Sequence, residues 1–424
     1  MADATEEDGP AVTRDEQLDG IVQKVWADAG LYHEDEEKLL RGWLTQQGIE
    51  VGDEEFQALL ARARRGENVP VTDSHIGPSV PGRVEQALGA VRDVGTGGIH
   101  VDDSPGSHHL APSTMAALRA HHRGGPEELV FEDAPVPEPA AGEVLIEVYA
   151  ASITFTELDW DETWLHDGVD RTPTIPSHEF SGVIATVGDD VTGLSRGDAV
   201  YGLVPFEHDG AAAEYLVLPA DIVAKAPAKL SHVETAALPL AALTAWQALV
   251  DHGKVEVGQT VLVHGGAGGV GVFVIQLAKH LGAGVTTTVR GADAAFVESL
   301  GADRVIDFET EAFDADERRY DIVIAPFGGD TQERSYAVVK PGGHLITLSV
   351  PPSQERAAEL GITATFFIVE PDAAELDTLA ELADAGTLVA PVQATFPLAD
   401  GRAAFETRTV TGKKPGKTVL VVRE

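Results

Sequence analysis

The sequence predicts an α/β protein: a doubly wound parallel sheet with helices on both faces, a second β-rich domain, and a small α-helical N-terminal extension. Three observations carry this. From about residue 260 apolar strands and helices alternate, the pattern of a parallel sheet covered on both sides. Between about 115 and 240 short alternating strands are bounded by Gly, Pro and Asp. Ahead of residue 66 apolar residues recur at helical spacing.

The elements follow in chain order. Thr13 and Glu16 form a capping box, and Leu18, Ile21, Val22, Val25, Trp26 and Ala29 continue a helix that Gly30 closes. Leu39, Leu40, Trp43 and Leu44 mark a second helix, and Asp53 caps a third with Phe56, Leu59 and Leu60. This predicts a helical module over 1–66, too small to hold a generous core alone. Residues 67–114 are rich in Gly, Pro, Ser and Asp and read as a flexible linker, with one short helix near Val84–Val94. His100, His108, His109, His121 and His122 match no closed zinc spacing and read as exposed histidines. Strands are expected at EVLIEVYAAS after Gly142, at SGVIATVG and at GDAVYGLV. Ser231 and Glu234 form a second capping box, before an Ala/Leu-rich helix that Pro239 interrupts.

Composition excludes several functions. The 424 residues are 43% hydrophobic, enough for at least one full core. Lys and Arg number 30 against 69 Asp and Glu, a formal charge of −39. Such a chain is not built to bind nucleic acid or an anionic membrane, since both need positive charge. It contains no Cys, which removes disulfides, thiol nucleophiles and Cys-ligated zinc. The acidic start has no apolar signal region, and no run reaches the ~18 apolar residues of a membrane span. A cytoplasmic protein is expected. The acidic excess, with Arg above Lys, suits a surface adapted to high salt; a GC-rich genome with an acidic bias is the plainer reading.

The informative run is TVLVHGGAGGVGVFVIQLA, residues 260–278. Gly266, Gly268 and Gly271 satisfy GxGxxG between an apolar strand and an amphipathic helix, the context that gives the motif meaning. Gly266 permits the tight turn, Gly268 lets backbone N–H groups approach a pyrophosphate, and Gly271 lets the helix pack on the sheet. Ala267, Gly269 and Val270 complete the loop, and the helix N-terminus favours the phosphates. An NAD site places an acid after the next strand, to hold the ribose 2′-hydroxyl. Here Val285–Val289 ends at Arg290. A guanidinium binds a 2′-phosphate where a carboxylate would repel it, so NADP(H) is the expected cofactor.

From about 115 onward the chain resembles the medium-chain dehydrogenase/reductase superfamily, in its zinc-independent quinone-oxidoreductase branch. The matching pieces run in order: ALRAHHRGGPEELVFEDAPVPEPAAGEVLIEVYAASI, IPSHEFSGVIATVGDDVTGLSRGDAVYGL, AALPLAALTAWQAL, the glycine-rich run, LGADRVIDF, VVKPGGHLITLS and GKTVLVV. The resemblance implies a GroES-like catalytic domain over 115–240, completed by 373–424, around a Rossmann domain over 241–372. It places Thr244, the 266–271 loop, Arg290, Phe327, Gly328, Gly329 and Leu348 at the cofactor, with Lys417 approaching from the C-terminal segment. It also implies a homodimer, for which GITATFFIV, residues 361–369, offers a strand to pair across a two-fold axis.

Departures from the family pattern matter too. His178-Glu179 matches the His-Glu pair of zinc members, but the Cys ligands are missing, and one His with one Glu is a poor zinc site. No bound metal is expected. Where the zinc-free branch shows Asn-Pro-x-Asp, this chain has Thr154-Phe155-Thr156-Glu157. The expected reaction is hydride transfer from NADPH to a quinone or other conjugated carbonyl, with Tyr201 or Thr154 bonding the developing oxyanion. An enoyl-thioester or 2-alkenal reductase is the neighbouring alternative. A cofactor-binding regulator whose helical module docks a partner is the alternative from a different class.

Overall fold

The computed structural model describes residues 40–41, 44, 51–52, 55–60, 112–315, 319–410 and 414–423. The chain divides into two compact units, Met1–Pro81 and Gly82–Glu424. In the first, residues 55–60 are helical, as are Leu40, Arg41 and Leu44. Leu40, Leu44, Phe56, Leu59 and Leu60 are buried, and the Arg41 guanidinium lies 4.2 Å from the Phe56 ring centroid. The Thr13 capping box, the helix to Gly30, Trp43, the Asp53 cap and most of the 67–114 stretch lie outside the described residues. His121 is described and pairs with Glu132 at 2.6 Å.

Among the described residues, the second unit opens with nine strands. Strands β1 (Thr114–Ala120) and β2 (Leu129–Pro135) pair antiparallel, as do the short β4 (Leu165–His166) and β5 (Val169–Asp170). Strands β3 (Glu143–Ile153), β6 (Glu179–Val187), β7 (Ala199–Leu203), β8 (Tyr215–Pro219) and β9 (Ala224–Lys225) belong to a larger sheet. Its buried face alternates along β3, where Val144, Ile146 and Val148 are fully covered.

Helices α1 (His232–Ala236) and α2 (Pro239–Trp246) lead into the parallel sheet. The Ser231 capping box forms in both halves, Glu234 N–H to Ser231 Oγ and Ser231 N–H to the Glu234 carboxylate. Pro239 opens α2 as its first residue, where its missing N–H costs nothing. A π-helical turn, Gln247–His252, follows.

The parallel sheet then builds from β10 (Thr260–His264), β11 (Gly284–Val289), β12 (Arg304–Asp307), β13 (Tyr320–Ala325), β14 (Val339–Thr347) and β15 (Thr363–Phe366). Helices α3 (Gly271–His280), α4 (Ala294–Ser299), α5 (Gly329–Val338) and α6 (Gln354–Leu360) alternate with them. The strand order is β12-β11-β10-β13-β14-β15, every pair parallel. The order reverses beside β10, the place where an open α/β sheet leaves its binding crevice. Val261, Val263, Ile322 and Ile324 form its buried heart with Val272, Phe273 and Ile275 of α3.

After α7 (Ala373–Asp384) the chain returns to the first sheet through β16 (Val392–Pro397), α8 (Gly401–Glu406) and β17 (Lys417–Val421). Seven strands result: β16-β17-β3-β6-β7-β9, with β8 also on β3. Three hydrogen bonds fasten the crossings between the sheets. On the way out, Leu240 N–H donates to Glu179 Oε1 at 3.1 Å. On the way back, Gln247 Nε2 donates to the Glu370 carbonyl at 2.9 Å while Glu370 N–H returns a bond to Gln247 Oε1. No helix among the described residues is long and apolar enough to cross a membrane.

Candidate active site

Between His264 and Gly271 the chain turns sharply from β10 into α3. Gly265 takes a left-handed φ of 69°, a conformation that favours glycine. Gly265 and Gly266 N–H both donate to the Thr288 carbonyl, at 3.0 and 3.1 Å. A Cβ on Gly271 would collide with the Gly265 carbonyl, and one on Gly266 with the Thr287 hydroxyl, so loop, helix and β11 can close only around glycine. Gly268 is exposed, while Ala267, Gly269 and Val270 are half-buried. No described side chain caps α3. Val272 and Phe273 N–H turn back to the Gly268 and Val270 carbonyls, whereas the N–H groups of Gly269, Val270 and Gly271 have no acceptor among the described residues, and the cradle fits a pyrophosphate.

Arg290, Phe327, Gly328, Gly329 and Leu348 follow strands at the same sheet end, whereas Thr244 lies on a helix ahead of the sheet. The Phe327 ring covers Gly265: a Cβ there would lie 2.7 Å from it. Gly328 caps α5 and Gly329 begins it. Leu348 follows β14, its N–H 3.2 Å from the Ala325 carbonyl. Thr244 on α2 is buried, its hydroxyl donated to the Leu240 carbonyl at 2.6 Å. Arg290 follows β11, half-exposed, with Nε 3.8 Å from Glu309 Oε1.

Opposite this end, three neighbouring strands of the first sheet bring distant residues together. Thr418 of β17 pairs with Ile153 of β3, which sets Lys417 beside Thr154. Ser152 of β3 pairs with Glu179 of β6. Opposed residues of an antiparallel pair share a face, as do residues two apart along a strand. Thr154, Lys417 and Glu179 therefore converge. Lys417 Nζ donates to Thr154 Oγ1 at 3.2 Å and forms an ion pair with Glu179. Its stem lies against the glycine loop, since a Cβ on Gly269 would meet Lys417 Cδ at 3.3 Å. Lys417 and Glu179 are both buried.

Behind them sits a second polar group. Glu157 is fully buried; its carboxylate accepts N–H bonds from Ser177 at 2.9 Å and Thr154 at 3.2 Å. Burial pushes this carboxyl up to about 8, against the pull of those two bonds and of Lys417. The Ser177 bond helps hold a left-handed φ of 73°. His178 Nε2 lies 3.9 Å from Glu157 Oε2. Burial, with Arg171 nearby, holds its imidazole down at about 3, so it is neutral at pH 7. The His178 ring packs edge-on to Phe206, which in turn packs edge-on to Trp160.

Tyr201 corrects the sequence reading. It is fully buried in the core shared by the two sheets, and its hydroxyl donates to the Leu376 carbonyl of α7 at 2.5 Å. Burial raises its pKa further. A hydroxyl so committed does not reach an acceptor in the cleft. Sequence reasoning missed Glu157 as a site residue, although it stands where the family pattern carries an acid. It also missed the contact between Lys417 and Thr154.

Two family models match the chain: the alcohol dehydrogenase GroES-like domain over residues 140–228, and zinc-binding dehydrogenase over 300–420. The Arabidopsis thaliana chloroplastic NADPH-dependent alkenal/one oxidoreductase is 32% identical, over 71% of this chain and 79% of that protein. The chain belongs to the medium-chain dehydrogenase/reductase superfamily, in its zinc-independent quinone-oxidoreductase-like branch. This is a family of pyridine-nucleotide-dependent oxidoreductases. The Solanum lycopersicum 2-methylene-furan-3-one reductase is 36% identical over 56% of this chain, and the chain spans 63% of that relative's length. The solved quinone oxidoreductase from Coxiella burnetii superposes with a TM-score of 0.67 at 32% identity, covering 73% of this chain and all of that one.

The zinc of the second family model does not fit these residues. The chain has no Cys. No three His, Asp or Glu side chains among the described residues are grouped to hold a metal ion. His178 packs against aromatic rings, and the Glu179 carboxylate is matched by the Lys417 ammonium, a cation the protein supplies itself.

Proposed function

We propose that this protein transfers hydride from NADPH to a quinone or another conjugated carbonyl. The observation that carries the reading is the glycine cradle opposite the Thr154 hydroxyl, with Arg290 where an NAD site would have an acid. The names of the Arabidopsis, tomato and Coxiella relatives, an alkenal/one oxidoreductase, a furanone reductase and a quinone oxidoreductase, support this acceptor class.

The bound dinucleotide supplies the hydride. The chain's own residues bind, orient and exclude water. The 266–271 loop and the α3 N-terminus hold the pyrophosphate, while Phe327–Gly329 and Leu348 border the nicotinamide side. Arg290 faces the ribose phosphate. Its half-exposed contact with Glu309, at 3.8 Å, is weak enough for a phosphate dianion to displace. Trp160 and Phe206 give the acceptor an apolar wall. Two chains pair through β15, whose outer edge has no partner strand among the described residues.

Turnover of a panel of quinones and enones with NADPH and NADH in parallel tests the reading. NADPH is expected to be preferred, and Arg290→Asp to move preference toward NADH by about tenfold or more, the loss of one charge-assisted phosphate contact. Equal use of both cofactors by the unaltered protein would remove Arg290 from the site.

A further inference from the structure

The Thr154 hydroxyl stands where the family pattern carries an amide, and its surroundings show what it can do. A hydroxyl has one proton to give and two positions to accept. Here the oxygen accepts from Lys417 Nζ at 3.2 Å. The Thr154 N–H is fixed separately, on Glu157 Oε1. No described residue accepts the hydroxyl proton. Thr154 itself is half-buried, so that proton is left to the open side of the site. The ammonium behind it is held by a fully buried carboxylate, and its stem lies against Gly269 of the cradle.

We propose that Lys417 acts on the acceptor through Thr154: its ammonium, anchored by Glu179, polarises the Thr154 hydroxyl into the donor that stabilises the oxyanion formed at the acceptor carbonyl. Thr154 is then a catalytic residue and Lys417 a positioning residue. The step balances simply. The acceptor's conjugated carbon receives the hydride with its electron pair, the carbonyl π electrons move onto oxygen, and the dinucleotide leaves oxidised. Thr154 O–H bonds to that oxygen without surrendering its proton, and the product takes its proton from solvent. A hydrogen bond from a hydroxyl that itself accepts from a cation is stronger than one from an isolated hydroxyl, because the charge draws electron density from the O–H bond. The inference rests on the reading that a conjugated carbonyl enters beside Thr154, and it deepens that reading by naming what receives the charge.

The register explains why the device needs the whole domain. Thr154 follows β3 directly, Lys417 begins β17, the last strand of the chain, and Glu179 begins β6. The three meet only when β17 inserts beside β3.

The test uses the full chain with Thr154→Val, Thr154→Ser, Lys417→Met, Lys417→Arg and the double variant Thr154→Val/Lys417→Met. Dinucleotide Kd is read by fluorescence titration, and kcat and KM at saturating dinucleotide. Thr154→Val is expected to lower kcat on the order of 10²-fold, the usual cost of one oxyanion donor, and Thr154→Ser to restore most of it. Lys417→Met is expected to lower kcat at least tenfold even at saturating dinucleotide, with Lys417→Arg recovering part. The double variant should be no slower than Thr154→Val alone, because Lys417 works only through that hydroxyl. Should Lys417→Met weaken dinucleotide binding and leave kcat unchanged, or should the two losses multiply, the proposal is wrong.

A second readout does not need turnover. 4-Nitrophenol, added to the dinucleotide-loaded protein, reports ionisation of a bound phenol by its visible absorbance. The unaltered protein is expected to bind it as phenolate below its solution pKa, and Thr154→Val and Lys417→Met to lose that shift. Absence of binding, or a shift that survives both substitutions, overturns the proposal. Failure of every quinone and enone to turn over, with the phenolate shift intact, would fault the acceptor assignment and leave the relay standing.

Discussion

Glu157 is the residue whose protonation most directly marks the folded state. Its carboxyl rises from an ordinary 4.5 to about 8 because it is shut away from water. The folded chain therefore holds a proton that the unfolded chain releases. The stability this supplies is complete below about pH 4.5 and is lost as pH rises through 8. Glu375, raised to about 7 by burial beside Asp251, adds a similar loss that ends sooner. Urea midpoints at pH 7 and pH 8 should fall for the unaltered protein, and Glu157→Gln should flatten that fall. Tyr201 makes the opposite point about a polar side chain near a cleft. With its hydroxyl spent on Leu376, Tyr201→Phe should cost about 1 kcal/mol of stability in urea unfolding while kcat stays within twofold. The shape of the glycine loop and the position of Arg290 just after β11 were legible in the sequence because both are local: a strand, a turn and a helix in one run of residues. The Lys417–Thr154 contact joins positions 263 apart and follows from strand register, which no spacing rule reveals.

Among the elements, the short helix α1 shows how much a cap contributes. Five residues long, it has little beyond its Ser231–Glu234 box to define its start. Ser231→Ala should cost about 1 kcal/mol, seen as a lower urea midpoint with an unchanged slope. The break at Pro239 was readable from the residue alone, and so was the alternation of strands and helices from β10 to β14. The π-helical turn at 247–252 was not. Its reason lies in Gln247, which reaches across to Glu370 and Glu375, residues more than a hundred positions away. Helix α7 was also missed; its Leu376 and Leu379 are buried against both sheets, an arrangement visible only once the chain has returned. The apolar run at 361–369 was readable as a strand, but only Thr363–Phe366 of it forms one, at the edge of the parallel sheet.

For the molecule as a whole, a charge of −39 must be tolerated within one chain. Self-repulsion of that size weakens the folded state at low ionic strength, and about 1 M salt, with a screening length of about 3 Å, removes most of it. The melting temperature should climb between dilute buffer and 1 M KCl; a flat or falling trend would favour the plainer compositional reading of the acidic excess. The two-sheet plan was visible in the sequence, but the fastening of the crossings was not. The nucleotide-binding sheet is an insertion whose exit is tied at Leu240–Glu179 and whose return is tied at Gln247–Glu370. Gln247 and Glu370 both lie in the crossing segments, so their bond clamps exit to return, while Tyr201, Leu203 and Val419 of one sheet share a buried core with Val261, Val263 and Ile322 of the other. Prising the sheets apart would bring that common core into water, a cost that keeps the seam shut.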